Sequence, residues 1–402
     1  MAALSATETT TLEHAGAAPM LAQVEAWAAV NSGTGNLGGL KVMAGLLADA
    51  FAALPGEVRL VPPDPVESVD AAGTVHMIQR GDHLHVRVRP DAPVQLLLTG
   101  HMDTVFAADH PFQTLAWREP GVLNGPGTAD MKGGIAVLLA ALRALETAPV
   151  APRIGYDVMI NSDEETGSHA SAALIAALAR DKTAALTYEP ALPDGTLAGA
   201  RPGSGNFAII VHGRAAHAGR NPQDGRNALL AAADLALRLS ALQSDALTVN
   251  PAKIDGGGPN NIVPDQAILR VNMRPATAEA MTAAEAAMRA AVAAIAREHD
   301  VHCHLHGGFN RPPKPLDEGA ARLFALVRDC GAALGLPIGW KATGGVCDGN
   351  NIAACGVPVV DTMGPRGGAI HSPDEFLIVD SLAERAKLSA LAMMRMAEGG
   401  SL

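Results

Sequence analysis

Aromatic side chains are scarce in this chain: Phe, Tyr and Trp make up 3% of 402 residues, although 48% of the residues are apolar. A core built on large rings is excluded, and Ala, Leu and Val must fill most of it. Basic residues are in the minority, with 30 Lys and Arg against 41 Asp and Glu, a formal charge of −11. That balance argues against a nucleic-acid partner, because phosphate binding needs a basic face. A local basic pocket for a small anion is still allowed. Only four cysteines occur, Cys303, Cys330, Cys347 and Cys355, with no short paired spacing. They read as free thiols in a reducing compartment rather than a disulfide framework. No apolar run is long enough to cross a bilayer. The segment from Met1 to Leu21 holds Glu8, Glu13 and His14 and lacks the apolar stretch of a secretory signal. A cytoplasmic protein with no membrane partner is expected.

The length suits two domains. Val94 to Thr99 and Tyr156 to Ile160 are short, mostly apolar runs that suit central strands covered on both faces. His83 to Val88 alternates like a half-exposed strand. Helical spacing covers Leu21 to Val30, Gly133 to Leu145, Ser168 to Ala179, Ala320 to Leu334 and Ser381 to Ala397. Strands alternating with helices predict an α/β sheet with its site at strand C-termini. From Arg201 onward the pattern changes. Strands at Asn206 to Gly213, Thr248 to Ile254, Ala267 to Met273 and Val301 to His306 interleave with helices at Arg226 to Ala241 and Thr277 to Glu298. Thr277 is a suitable N-cap. The order β-α-β-β-α-β is ferredoxin-like. The expected organisation is a discontinuous catalytic domain, residues 1–203 and 313–402, with an inserted α+β domain at 204–312.

Five segments carry acid and imidazole groups: Gly100 to Val105, Gly125 to Gly134, Asp163 to Gly167, Glu189-Pro190 and His371-Ser372-Pro373. Zinc takes imidazole nitrogen and carboxylate oxygen. Two such ions roughly 3.5–4 Å apart need one ligand that reaches both. Asp130, on a Gly-rich turn, is the natural bridge. His101 and Glu189 would complete one shell, and Glu165 and His371 the other. Asp103, two residues after His101, can reach its second ring nitrogen and fix the tautomer. Glu164 is then left without a metal, placed as general base toward water. Two zinc ions are expected, with cobalt or manganese as possible substitutes.

Segments 100–105, 125–134 and 163–167 resemble the signature motifs of the M20 family of di-zinc metallopeptidases. The likeness is greatest to its glutamate carboxypeptidase branch. It implies a zinc-peptidase-like mixed sheet flanked by helices, with a lid and dimerisation domain inserted. It implies an amidohydrolase acting beside a free, acidic, glutamate-like carboxylate. An N-deacylase of the acetylornithine or succinyl-diaminopimelate type is the alternative, and a non-catalytic relative a more distant one. By the same likeness His101, Asp130, Glu165, Glu189 and His371 match the metal ligands, Glu164 the general base and Asp103 the orienting carboxylate. Gly213 to Gly219 looks like the lid segment whose histidine, here His217, reaches the partner subunit's site and stabilises an oxyanion. Asn261 and Arg274 resemble lid positions that hold a substrate carboxylate. A homodimer through the lid follows from the same resemblance.

Other features invite weaker readings. Gly33-Thr34-Gly35-Asn36-Leu37-Gly38 fits G-x-G-x-x-G but follows a helix, which suits a packing turn better than a nucleotide site. His302, His304 and His306 share one strand face, with Cys303 on the other, and read as structural. Gly345 and Cys347, in the segment Gly344 to Asn350, are expected to line the substrate pocket. The glycines between Arg201 and Phe207 suggest a hinge.

Overall fold

In the computed structural model, residues 3–399 are described; positions 1–2 and 400–402 of the expected catalytic domain lie outside the described residues. The central sheet has six strands, in the order Glu57–Val61, His83–Val88, Ile154–Asn161, Val94–His101, Ala184–Thr187, Val359–Val360. The first two joins are antiparallel and the other three parallel. Every residue of Ile154–Asn161 is buried, and all of Val94–His101 except Gln95. Burial on both faces is the reason these segments read as apolar runs. Helix Gly133–Leu145, buried except at Arg143, packs beside helix Asp380–Gly399 against this layer. The result is a mixed α/β sheet flanked by helices.

The parallel joins decide where chemistry can sit. His101 pairs with Asn161, and Thr99 with Thr187, so three strands end on one edge. His101, the Asp163–Glu165 turn and Glu189 all emerge there, as strand polarity demands. A separate four-stranded sheet, Gly367–Gly368, Phe376–Ile378, Val122–Asn124 and Ala116–Glu119, carries the loops on either side of Asp130 and His371.

Strands Ser204–His212, Leu247–Gly256, Gln266–Pro275 and His302–Arg311 form an antiparallel sheet of their own. Helices Ala228–Ser240 and Ala278–Glu298 cover one face over a separate core that includes Phe207, Ile209, Leu235, Leu269 and Met288. The β-α-β-β-α-β order holds, and Thr277 caps its helix by accepting from Ala280 N–H at 3.2 Å. The chain enters and leaves this unit through paired backbone, Arg201 with Lys314. Gly203 and Gly205 are there for close approach rather than free rotation. A Cβ at Gly205 would lie 2.6 Å from the Phe309 ring, and one at Gly203 2.9 Å from the Arg311 carbonyl.

Three helices go beyond the sequence reading, Ala6–Ala17, Leu37–Phe51 and the short Asp348–Ala354. Helix Leu37–Phe51 buries Leu40, Met43, Ala44, Leu47 and Phe51, a helical period that the preceding glycines obscure. His83–Val88 is more buried than its alternation suggests, because His85 is drawn onto the buried Asp157 carboxylate at 2.6 Å. Lys182 reaches the other oxygen at 2.5 Å. Asp157→Asn should therefore cost about 3 kcal/mol in chemical denaturation at pH 7, since it strands a buried ammonium. Although burial opposes ionisation, His85 and Lys182 hold the Asp157 carboxyl below its ordinary range. Its stabilisation is present at neutral pH and fades as pH falls through the lowered value. The gap between wild type and variant should thus narrow below about pH 4.

Candidate active site

The Gly-rich turn before helix Gly133–Leu145 owes its shape to one buried carboxylate. Glu375 accepts from the N–H groups of Gly127 at 3.1 Å, Ala129 at 2.9 Å and Asp130 at 3.0 Å. Three backbone donors fix the turn, and Asp130 is presented toward the strand ends. Asp103 does the same for the next segment. Its carboxylate accepts from Glu164 N–H at 3.1 Å, Glu165 N–H at 3.2 Å and the Thr34 hydroxyl at 2.7 Å. His101 Nδ1 lies 2.9 Å from the Asp103 carbonyl and 3.4 Å from its carboxylate, so the ring faces the cavity with Nε2. His371 has a φ of 61°, a left-handed conformation that an L residue holds at a cost of about 1 kcal/mol or more. It brings Nε2 over the same pocket.

The converging atoms form two halves around Asp130. Its Oδ1 lies 3.1 Å from His101 Nε2 and its Oδ2 3.3 Å from His371 Nε2. Glu189 stands 3.7 Å from His101, and Glu165 3.1 Å from His371. Ligand atoms of His101, Asp130 and Glu165 fall within 4.8 Å of one another, as do those of His101, Glu164 and Glu189. Glu164 is gripped by the buried Arg311, which bonds its Oε1 at 2.7 Å and its carbonyl at 2.9 Å.

Four carboxylates share this pocket with two imidazoles. Burial pushes Glu164 up to about 7, with Glu189 and Asp103 adding and Arg311 opposing. Burial and the Asp130 charge push Glu165 up to about 8. Despite burial, the surrounding carboxylates hold His101 well above its usual range; hydrogen bonds to Asp130 and Glu165 raise His371 to about 11. The site is short of positive charge, and its donors are imidazole nitrogen and carboxylate oxygen. That combination fits a pair of borderline divalent cations, with His101, Asp130, Glu165, Glu189 and His371 able to hold them.

A cavity of about 790 Å³ opens beside these groups. Arg274 and Gly345 line it, as do Arg201, Arg311, Lys341, Asn206, Asn272, Asn310 and Cys347. Cys347 is buried and accepts from Gly349 N–H at the start of a helix. His217 and Asn261 are exposed and do not line this cavity. They adjoin each other: Ala218 N–H donates to the Asn261 carbonyl at 2.9 Å.

The sequence model of Peptidase family M20/M25/M40 matches residues 97–395. The chain belongs to this family. Carboxypeptidase G2 from Pseudomonas sp. (strain RS-16) is 32% identical over 332 residues, covering 79% of this chain and 78% of that protein. A succinyl-diaminopimelate desuccinylase from Pseudoalteromonas translucida (strain TAC 125) is 28% identical over 304 residues, covering 70% and 78%. The fold is shared with a tripeptidase from Staphylococcus aureus subsp. aureus Mu50, with a TM-score of 0.73 and 24% identity over 94% of this chain and 98% of that one. M20 enzymes are dinuclear metal-binding hydrolases of amide and peptide bonds.

Thr34, Glu375 and Arg311 escaped the sequence reading. Thr34 lies in the glycine-rich segment set aside as packing. Arg311 opens a Pro-rich stretch that reads as a linker. Glu375, four residues past His371, has no local signature at all. Its role gives a sharp expectation. Glu375→Gln removes one acceptor oxygen and turns an amide donor toward a backbone N–H. Metal affinity, measured by equilibrium dialysis, should fall about 10- to 100-fold while circular dichroism stays unchanged.

Proposed function

We propose that this M20 enzyme is a two-zinc amidohydrolase that cleaves the amide bond beside a free carboxylate, releasing an acidic, glutamate-like residue from an N-acyl amino acid or small peptide. The observation that carries the reading is the Asp130 carboxylate set between His101 and His371, one oxygen toward each. When bound, the ions would supply Lewis-acid chemistry, polarising the scissile carbonyl and acidifying water; cobalt or manganese would suit the same donors.

The protein groups then divide the work. Glu164, held by Arg311, takes a proton from the attacking water and returns it to the leaving amine. Asp103 keeps His101 oriented and the Glu164–Glu165 turn in place. Arg274 and the cavity's other cations and amides receive the substrate's carboxylates, a task for which a guanidinium's paired donors are suited. Gly345 leaves that wall open. The similarity to carboxypeptidase G2 supports cleavage beside a free C-terminal carboxylate. The desuccinylase similarity supports a second reading, an N-deacylase whose acyl carboxylate uses the same cations.

His217 and Asn261 are assigned to the site of a second copy. Gly219 and Arg220 N–H groups donate to His217 Nδ1 at 3.1 and 3.2 Å, so Nε2 carries the proton and points outward as a donor for an oxyanion. A homodimer through the inserted unit is supported by helix Ala228–Ser240, which leaves Leu230 61% and Leu237 73% exposed beside the edge strand Leu247–Gly256. The four free cysteines support a cytosolic setting. No helix among the described residues is long and apolar enough to cross a membrane.

Glu164→Gln should lower kcat by roughly 10²- to 10⁴-fold with metal content unchanged. Hydrolysis that survives complete metal removal would refute the scheme. A panel of N-acyl glutamates, neutral dipeptides and N-succinyl amines ranks the two substrate readings by kcat/KM. Mixing the inactive variants Glu164→Gln and His217→Ala should restore roughly a quarter of wild-type activity, because half the dimers then hold one intact site. No recovery after subunit exchange would place His217 outside the partner's site.

A further inference from the structure

The inserted sheet carries a histidine cluster that the dinuclear site does not use. His302, His304 and His306 lie along its edge strand, and Cys303 packs on the helix-covered side. The imidazoles therefore project from the opposite, helix-free face. The pairing adds a fourth histidine that no local pattern could supply. His212, at the end of strand Ser204–His212, is directly opposite His302, while His304 is opposite Ile210. Directly opposed residues share a face, so His212, His302 and His304 form one patch. The rings of His212 and His304 stand with centroids 5.7 Å apart at an interplanar angle of 71°.

Three observations point to a ligand. Two imidazoles on one tetrahedral ion, each with a metal–nitrogen bond near 2.1 Å, hold their centroids about 5–6 Å apart. The observed spacing matches. Among the described residues, none of the His212, His302 and His304 side chains makes a hydrogen bond or ion pair, so their ring nitrogens are uncommitted. His302 and His304 are exposed and His212 half-buried, so an ion can reach the pair without opening the fold.

We propose that His212 and His304 form a cross-strand clamp for one borderline divalent cation, of the Zn²⁺, Ni²⁺ or Cu²⁺ class, with His302 alongside and water completing the shell. All-nitrogen donors favour these ions over Mg²⁺ or Ca²⁺, and Cys303 faces away, so no thiolate takes part. The ion would tie strand Ser204–His212 to strand His302–Arg311 where the turn bearing His217 departs. The site stands apart from the dinuclear centre and does not depend on the reaction assigned to it.

The test is a metal count by equilibrium dialysis against buffered Ni²⁺. Wild type is compared with His212→Ala, His304→Gln and, as control, His76→Ala, an exposed histidine that meets Asp70 instead. Ions in the active site cancel in the difference. Wild type should hold one more Ni²⁺ than either clamp variant, with the extra ion weakened about tenfold or more by each single change, since the second imidazole acts as a chelating arm. His76→Ala should leave the count alone. Equal counts in wild type and both clamp variants, or an equal loss in His76→Ala, would overturn the proposal. His304→Gln alters an exposed side chain and keeps the test decisive should His212→Ala fail to fold.

Discussion

Repulsion between like charges is the constraint around which the catalytic unit is organised. Asp130, Glu164, Glu165 and Glu189 converge at the ends of parallel strands, where burial strips away the water that would screen them. Nothing in such a group favours staying together without cations. The structure meets the problem in two ways. It spaces imidazoles between the acids, and it anchors Asp130, Glu164 and Glu165 through groups held elsewhere. Glu375 fastens the Asp130 turn, Asp103 fastens the Glu164–Glu165 turn, and Arg311 fastens Glu164 itself. A second row of carboxylates thus serves to hold the first.

That arrangement explains why the site's inner members were legible in the chain and its supports were not. His101, Asp130, Glu164, Glu165 and Glu189 follow buried strands or open a helix, so periodicity places them on one edge before any coordinates exist. His371 lies in a loop, and its imidazole was read as completing the second shell although no strand or helix period places it there. The supports obey no local rule. Thr34 contacts Asp103 across 69 positions, and Arg311 contacts Ser168 and Glu164 across more than a hundred. Only the folded topology brings them near.

The fold was legible for a related reason. The ferredoxin-like order of the inserted unit is written in alternating strands and an Ala-rich helix with a threonine cap. The helix Leu37–Phe51 was missed although its apolar positions are regular, because Asn36 and the glycines before it signal a turn. They do form one: Asn36 accepts from Gly39 N–H and caps the helix. His212 shows the limit from the other side. Ninety residues separate it from the His302–His306 tract, and the register of two strands is what makes them neighbours.

The crossing between the two units has a mechanical consequence. Two chain segments run side by side there, bonded to each other through Arg201 and Lys314, whose side chains both reach the buried Asp361. The two segments are thereby pinned to each other and to one buried carboxylate, so separating them means pulling ion pairs apart out of reach of water. Arg311, three residues before Lys314, ties the same crossing to Glu164.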